Sequence, residues 1–423
     1  MSEIYIDPSL VDPVLMRGMT QRRMGRRGIL KAAGLGVAAS GLAACSVKGK
    51  ATVKPSAAPN NAAVAKFWAD KKSTGHVNFA NWPLYMDPKH PELKKFTAQT
   101  GITVKYSEVI NDVSSFFAKV QPQLAAKQSI GYDLMVLTNG IEFAEMIQLG
   151  YYAPLDHSKM PNFTKNVGAK YTKEAFDPGN NYSVPWASGI TGIGYNPKYV
   201  TTAPTSLQDL QNPAYKGKVG MFSDTEEIGV FAMLAVGATP ETSTPADWQK
   251  AADWLKKQQS AGLVRKYYDQ DYIAALGNGD IWLSMAWSGD IYQNNASGGA
   301  AQLKFTIPSE GGTLWTDNMT IPYTADNALD ALKLIDFFYD PAIAASLAEY
   351  INYITPVPAA QQVMKTQAAG ESGSDKTDLM ELADSPLVFP SDTDLAKLHY
   401  YRTFRSPAEH DQYNAIFSPI VTS

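Results

Sequence analysis

Trp315 and Asp317 stand two residues apart in the stretch Gly-Gly-Thr-Leu-Trp-Thr-Asp-Asn-Met-Thr-Ile-Pro, residues 311–322. In an extended segment alternate side chains share a face, so the pair offers one ligand an aromatic surface and a negative charge. An alkylammonium uses both: a cation over a ring is worth about 0.5–2 kcal/mol, and a charged hydrogen bond to a carboxylate about 1.5–3 kcal/mol. The same combination recurs at Asn81-Trp82-Pro83-Leu84-Tyr85, at Asp224-Thr225-Glu226-Glu227 and at Ala286-Trp287-Ser288-Gly289-Asp290, each at the end of an apolar run. These four places are expected to converge in a cleft.

Each residue type has a plainer use. Asp224 and Glu227, three apart at a helix start, share one face. Yet Ser223 with Glu226, and Asp224 with Glu227, both fit a capping box, and acids in a first turn complement the helix dipole. The two uses are compatible if Ser223 caps with Glu226 and leaves Asp224 and Glu227 to a cation. Trp82, Tyr85, Trp287, Trp315 and Tyr353 would each serve in a core. Their placement after strands, beside Pro, Gly, Ser and Asp, instead puts them on sheet rims, where binding groups gather. Asp317 also suits a solvated turn, Asp290 a helix cap, and Asp280 a turn.

Other chemistry has little support. The five histidines, His76, His90, His157, His399 and His410, show no metal-ligand spacing. No phosphate-binding P-loop, dinucleotide fingerprint or serine nucleophile elbow is present, so no cofactor or metal is expected. Stacked tryptophans with acids also suit an oligosaccharide or a caged quaternary amine. Asp224 or Glu227 with Asp317 would make the carboxyl pair of a glycoside hydrolase.

The elements that position these residues follow from hydrophobic rhythm. The chain has 423 residues, 45% of them hydrophobic, enough for two or more domains. Its net charge is −4; beyond residue 44 there are 31 basic and 38 acidic side chains, a surface that disfavours nucleic acid. Residues 1–45 read as a processing segment. Arg26-Arg27 opens a twin-arginine pattern, and a small apolar run follows, too short for an ordinary membrane anchor and ending Leu42-Ala43-Ala44-Cys45. Cys45, the only cysteine, sits as in a lipobox, whose cysteine becomes the lipidated amino terminus. Residues 46–73, rich in Ala, Lys, Ser, Pro and Asn, read as a flexible tether.

From His76 onward strand, helix, strand, helix, strand predicts an α/β protein with a mainly parallel sheet, whose ligands lie at the strands' carboxyl ends. Trp82 and Thr138 occupy such ends. Two short strands, 182–185 and 191–195, flank a crossing at Ala187-Ser188-Gly189 into a second lobe of similar build, and Gly311-Gly312 marks the return. The expected division is residues 74–186 plus 313–360 for lobe 1 and 187–312 plus 361–423 for lobe 2, in a monomer.

Taken together, Asn81-Trp82-x-x-Tyr85, Tyr132-Asp133-Leu134, Tyr182-Ser183-Val184-Pro185, Ala286-Trp287-Ser288-Gly289, Gly311-Gly312-x-x-Trp315-x-Asp317 and Tyr353-x-Thr355-Pro356 resemble the periplasmic spermidine/putrescine-binding proteins of ABC transporters. The resemblance runs from about residue 78 to residue 360. It implies the two-lobed type II binding-protein fold, each lobe a mainly parallel sheet flanked by helices, joined by a two-strand hinge. It also implies a polyamine in the interlobe cleft, walled by Trp82, Tyr85, Trp287, Trp315 and Tyr353. Asp224, Glu227 and Asp317 would meet its amines, and Thr138 would bond a terminal one. The implied partners are a polyamine, an ABC permease and the membrane through a lipid on Cys45, at the outer face of the cytoplasmic membrane. Pro83 and Leu84 replace polar or acidic residues of that family, and Gly140 stands where it carries an aromatic.

Overall fold

The run Leu-Met-Val-Leu-Thr at 134–138 has no polar position until its last residue, and it forms a strand buried on both faces. The computed structural model describes residues 59–422 apart from 112, 270 and 405. The twin-arginine pattern and Cys45 lie outside the described residues.

The first half alternates as expected: β1 (His76–Asn81), α2 (Pro91–Thr100), β2 (Thr103–Glu108), α3 (Val113–Ala125), β3 (Leu134–Thr138) and α4 (Ile141–Gln148), preceded by α1 (Asn61–Trp68) and followed by the short α5 (Pro161–Asn166). α2 begins with Pro91 and stops at Gly101, whose φ of 74° lets its N–H turn back to the Thr97 carbonyl. α3 continues through Pro122.

α1 corrects part of the expected tether. Within 59–73 the chain is a helix docked by Trp68, whose indole N–H donates to the Pro154 carbonyl at 2.7 Å. Ser73, Thr74 and Gly75 then donate to the Asp330 carboxylate. Polar composition suggested a linker; one buried indole and one carboxylate hold the segment down.

The second half contains β5 (Val219–Phe222), α6 (Thr225–Ala235), α7 (Pro245–Ser260), β6 (Val264–Tyr268), α8 (Tyr272–Asn278), β7 (Leu283–Trp287), α9 (Ser288–Ala296) and β8 (Lys304–Thr306). Strand order is β2-β1-β3-β9-β4-β7-β5-β6. β1, β2 and β3 are mutually parallel, as are β7, β5 and β6. Two long strands join the sets, β4 (Ser183–Tyr195) and β9 (Gly312–Thr320), both buried throughout. They pair antiparallel from Ser183 with Thr320 to Thr191 with Thr313, with an irregularity between Pro185 and Ala187. β9 also pairs with β3 over 317–320, and β4 with β7 over 191–195. This is the α/β, two-strand-hinge arrangement expected, except that the two predicted short strands are one continuous β4.

The apolar side chains divide accordingly. One core gathers Phe79, Leu134, Trp186, Met319 and Phe338; another gathers Ile193, Phe222, Phe231, Trp248 and Leu283. The expected assignment of residues 361–423 to lobe 2 does not match this packing. α12 (Ala360–Gly370) and α13 (Gly373–Asp384) place Met364, Leu382 and Ala383 in the first core, after α10 (Ala328–Phe338) and α11 (Pro341–Ile351). Only beyond α14 (Asp392–Leu395) and β10 (Leu398–His399) does α15 (Pro407–Val421) bring Tyr413 and Phe417 into the second core. On the way β10 pairs parallel with β9 at Gly312 and Thr313, so the chain passes between the halves a third time.

Candidate ligand-binding site

Parallel strands on each side of the hinge point their carboxyl ends at one region, as such sheets do around a ligand. Trp82 directly follows β1, Thr138 ends β3, Asp224 stands two residues beyond β5 and Trp287 ends β7.

On the first half, β9 is extended, so Trp315 and Asp317 share a face as their spacing predicts. Asp317 pairs across the strands with Thr138. Its Oδ1 accepts the Thr138 hydroxyl at 2.5 Å, and its Oδ2 accepts the Tyr85 hydroxyl. Asp317 is only 5% exposed, so the reading as a solvated turn carboxylate is excluded. Trp82 is held by its indole N–H donating to the Val136 carbonyl at 3.0 Å. Trp315 packs edge-on against Tyr353, ring centroids 5.1 Å apart. It lies so close to the hinge strand that a β-carbon on Gly189 would fall 2.0 Å from its Cζ2.

On the second half, the capping reading reverses. Ser223 donates to Asp269, and Asp224 caps α6, its Oδ1 accepting from the backbone N–H groups of Glu226 and Glu227 at 2.9 and 3.0 Å. Both serine and aspartate make good caps, and the aspartate sits where the helical N–H groups converge. Glu227 Oε1 accepts from the Trp287 indole at 3.0 Å and from the Thr191 hydroxyl at 2.9 Å. Trp287 touches both cores and stacks obliquely on Phe222 at 4.6 Å.

Acidic groups are concentrated here. Burial, opposed by hydrogen bonds from Trp287 and Tyr401 and reinforced by Asp224, pushes the Glu227 carboxyl up to about 7. Glu226 is driven well above the ordinary carboxylate range by burial and then by Asp224, Glu142 and Glu227. Glu227 Oε2 and Glu226 Oε1 are sealed from solvent without a hydrogen-bond partner.

Three residues of this region escaped the sequence reading. Tyr401 follows β10 and hydrogen-bonds Glu227; only the aromatic pair Tyr400-Tyr401 hinted at it. Asp290, expected as a cap, lies one turn into α9 and accepts the hydroxyls of Tyr353 at 2.9 Å and Tyr272 at 3.0 Å. Glu226, expected to complete a cap, points across to Gly140.

Rings and acids brought together at strand ends suit the holding of a ligand. Comparison with known proteins agrees. The bacterial extracellular solute-binding protein family matches residues 93–373. The spermidine/putrescine-binding periplasmic protein of Escherichia coli is 32% identical over 304 residues, covering 72% of this chain and 83% of that protein. The putrescine-binding periplasmic protein SpuD of Pseudomonas aeruginosa is 29% identical over 341 residues, covering 76% and 85%. Among solved structures, the spermidine/putrescine transporter substrate-binding protein PotD of Streptococcus pneumoniae superposes with a TM-score of 0.69 at 24% identity, covering 82% of this chain and 98% of that one. The Tp0655 lipoprotein of Treponema pallidum superposes at 0.67 with 22% identity, covering 82% and 100%. The chain therefore belongs to the bacterial extracellular solute-binding proteins, a family of transport receptors rather than enzymes.

Proposed function

We propose that this protein captures a polyamine, spermidine or putrescine, in the cleft between its halves and presents it to the permease of an ABC transporter. The observation that carries the reading is the sealed, unpartnered Oε2 of Glu227, on a carboxylate whose other oxygen accepts from the Trp287 indole at the end of β7. A buried carboxylate with one oxygen left unsatisfied suits a cation, and aromatic rings suit methylenes and ammonium groups alike. The relatives named for spermidine and putrescine support the same ligand class.

In this reading Glu227, Asp224 and Asp317 meet amines, and Thr138 turns its hydroxyl to a terminal one. No bond is made or broken. Binding favours closure of the halves about β4 and β9, and the permease reads the closed form. Export by the twin-arginine segment, lipidation of Cys45 and a monomeric receptor at the outer face of the cytoplasmic membrane complete the proposal. Among the described residues no helix is long and apolar enough to cross a membrane.

Isothermal titration with spermidine, putrescine and cadaverine, followed in parallel by tryptophan fluorescence, tests the reading. Saturable binding of at least one is expected. The absence of heat and of a fluorescence change with all three overturns it.

A further inference from the structure

Charge is spread unevenly along this chain. Residues 46–73 hold six lysines, Lys48, Lys50, Lys54, Lys66, Lys71 and Lys72, against Asp70 alone, whereas residues 74–423 hold 25 basic side chains against 37 acidic ones. An acidic body thus carries a short basic segment next to Cys45. The described part of that segment is fixed in place by Trp68 on Pro154 and by residues 73–75 on Asp330. Lys66, Lys71 and Lys72 therefore belong to a surface of the first half rather than to a free tether.

That surface is apolar as well as basic. Lys66 and Lys72 are exposed, as are Ala62, Ala63, Ala65 and Ala69 along and just after α1. The Phe67 ring has the Lys71 ammonium 4.9 Å from its centroid and the Tyr323 ring 5.0 Å away. Tyr323 is 51% exposed and Leu149 47%, and they are the large apolar side chains left exposed among the described residues. They are close in the fold: the Tyr323 N–H donates at 2.7 Å to the carbonyl of Tyr151, two residues beyond Leu149. The acids at the edge are Asp70, Asp326, which accepts the Ser129 hydroxyl at 2.7 Å, and Glu145, whose carboxyl burial raises above its ordinary range.

The patch lies at the far pole of the first half. Thr74 leads into the start of β1, and Tyr323 follows β9, whose Thr320 pairs with Met135 near the start of β3. Trp82 and Thr138 stand at the opposite ends of β1 and β3. From Cys45 to Asn60, which caps α1, the chain runs fifteen residues, at most about 50 Å when extended.

We infer that this pole is a docking surface for an anionic phospholipid bilayer, with Lys66, Lys71 and Lys72 meeting headgroup phosphates and Phe67 and Tyr323 entering the interface. Lysine stems and aromatic rings side by side suit a headgroup layer, which is apolar below and charged above. Seated in this way, the receptor turns the carboxyl ends of its strands, and with them the cleft, away from the bilayer. The inference is independent of the ligand and shares with the proposal above only the location at a membrane.

The test uses the full chain with Cys45→Ser, so that no acyl chain contributes. A single environment-sensitive fluorophore is placed on Ala65→Cys in α1 or, as the control, on Ser260→Cys at the end of α7, both exposed positions. Phosphatidylglycerol vesicles are expected to shift the α1 label to the blue and leave the α7 label unchanged, and phosphatidylcholine vesicles to shift neither. Raising salt from about 50 mM to about 500 mM is expected to raise the half-saturating lipid concentration at least tenfold, because the screening length shrinks. Lys66→Gln, Lys71→Gln and Lys72→Gln combined are expected to raise it at least tenfold, each lysine near an anionic surface being worth roughly fivefold. No shift of the α1 label overturns the inference, even where the protein pellets with the vesicles, since attachment then lies elsewhere in the chain. An equal shift of the α7 label, an equal shift on phosphatidylcholine, or a triple variant that binds as the wild type does overturns it too. A shift without vesicles that grows with protein concentration marks a second copy on the patch and also overturns it. Titration of the same chain with spermidine reports on the polyamine reading separately, and its failure leaves the vesicle result standing.

Discussion

Thr138 and Asp317 face each other where β3 meets the hinge strand β9, and the threonine hydroxyl donates to the carboxylate at 2.5 Å. With Tyr85 on the other oxygen, Asp317 is oriented from two elements before a ligand arrives. Such preorganisation lowers the ordering cost of binding.

Asp317→Asn is therefore expected to weaken a diammonium or triammonium ligand by about ten- to a hundredfold, the worth of a charged hydrogen bond. Tyr85→Phe, which removes an orienting hydroxyl and keeps the ring, should cost less. Titration of the two variants side by side checks the order; a Tyr85→Phe loss equal to that of Asp317→Asn would contradict it.

The Glu227 carboxyl, raised to about 7 by burial, sets a pH dependence for binding. A cation binds the ionised form, so below that value a proton must leave as the ligand enters. Affinity is expected to rise from pH 6 to pH 8 and then level off, and Glu227→Gln should flatten the profile. Calorimetry at pH 6.5 in two buffers of different ionisation enthalpy measures the released proton directly.

Behind the cleft, Glu174 is buried, accepts the Thr316 hydroxyl at 2.7 Å and has an Oε2 without a partner. Burial raises its carboxyl to about 8. The folded state keeps this proton where the unfolded chain has released it, so stability is greatest below the unfolded value of 4.5 and declines as pH rises to about 8. The decline attributable to this group is on the order of 5 kcal/mol at most. Thermal melts of Glu174→Gln should show a smaller loss of stability between pH 5 and pH 8 than the wild type.

Gly189 has no room for a methyl group against Trp315. Gly189→Ala is expected to displace the indole, lowering stability by about 1–3 kcal/mol and weakening ligand binding together. Tryptophan emission and titration of the same preparation check both; an unchanged spectrum would exclude the packing argument.

How much of this was legible in the chain depends on what each signal measures. β3 and β7 are continuous apolar runs, and α2 carries Pro91 and Gly101 at its ends, so local chemistry alone located them. The two-apart spacing of Trp315 and Asp317 foretold a shared face because β9 is regular. Capping at α6 was misassigned because Ser223 and Asp224 are equally competent, and only the Ser223 contact with Asp269, distant in sequence, decides between them. The docking of Trp68 on Pro154 and the approach of Tyr401 to Glu227 are likewise long-range contacts, for which neither periodicity nor composition carries a sign.

The passage of β10 alongside β9 bears on how the molecule moves. Two antiparallel strands alone, β4 and β9, would let the halves twist as well as fold together. A third pass, hydrogen-bonded at Gly312 and Thr313 and anchored by helices at either end, resists torsion while leaving bending about the ribbon axis open. In the closure proposed above, such a brace would favour a jaw-like swing over a twist, and a permease docking on both jaws would then need to distinguish only their separation.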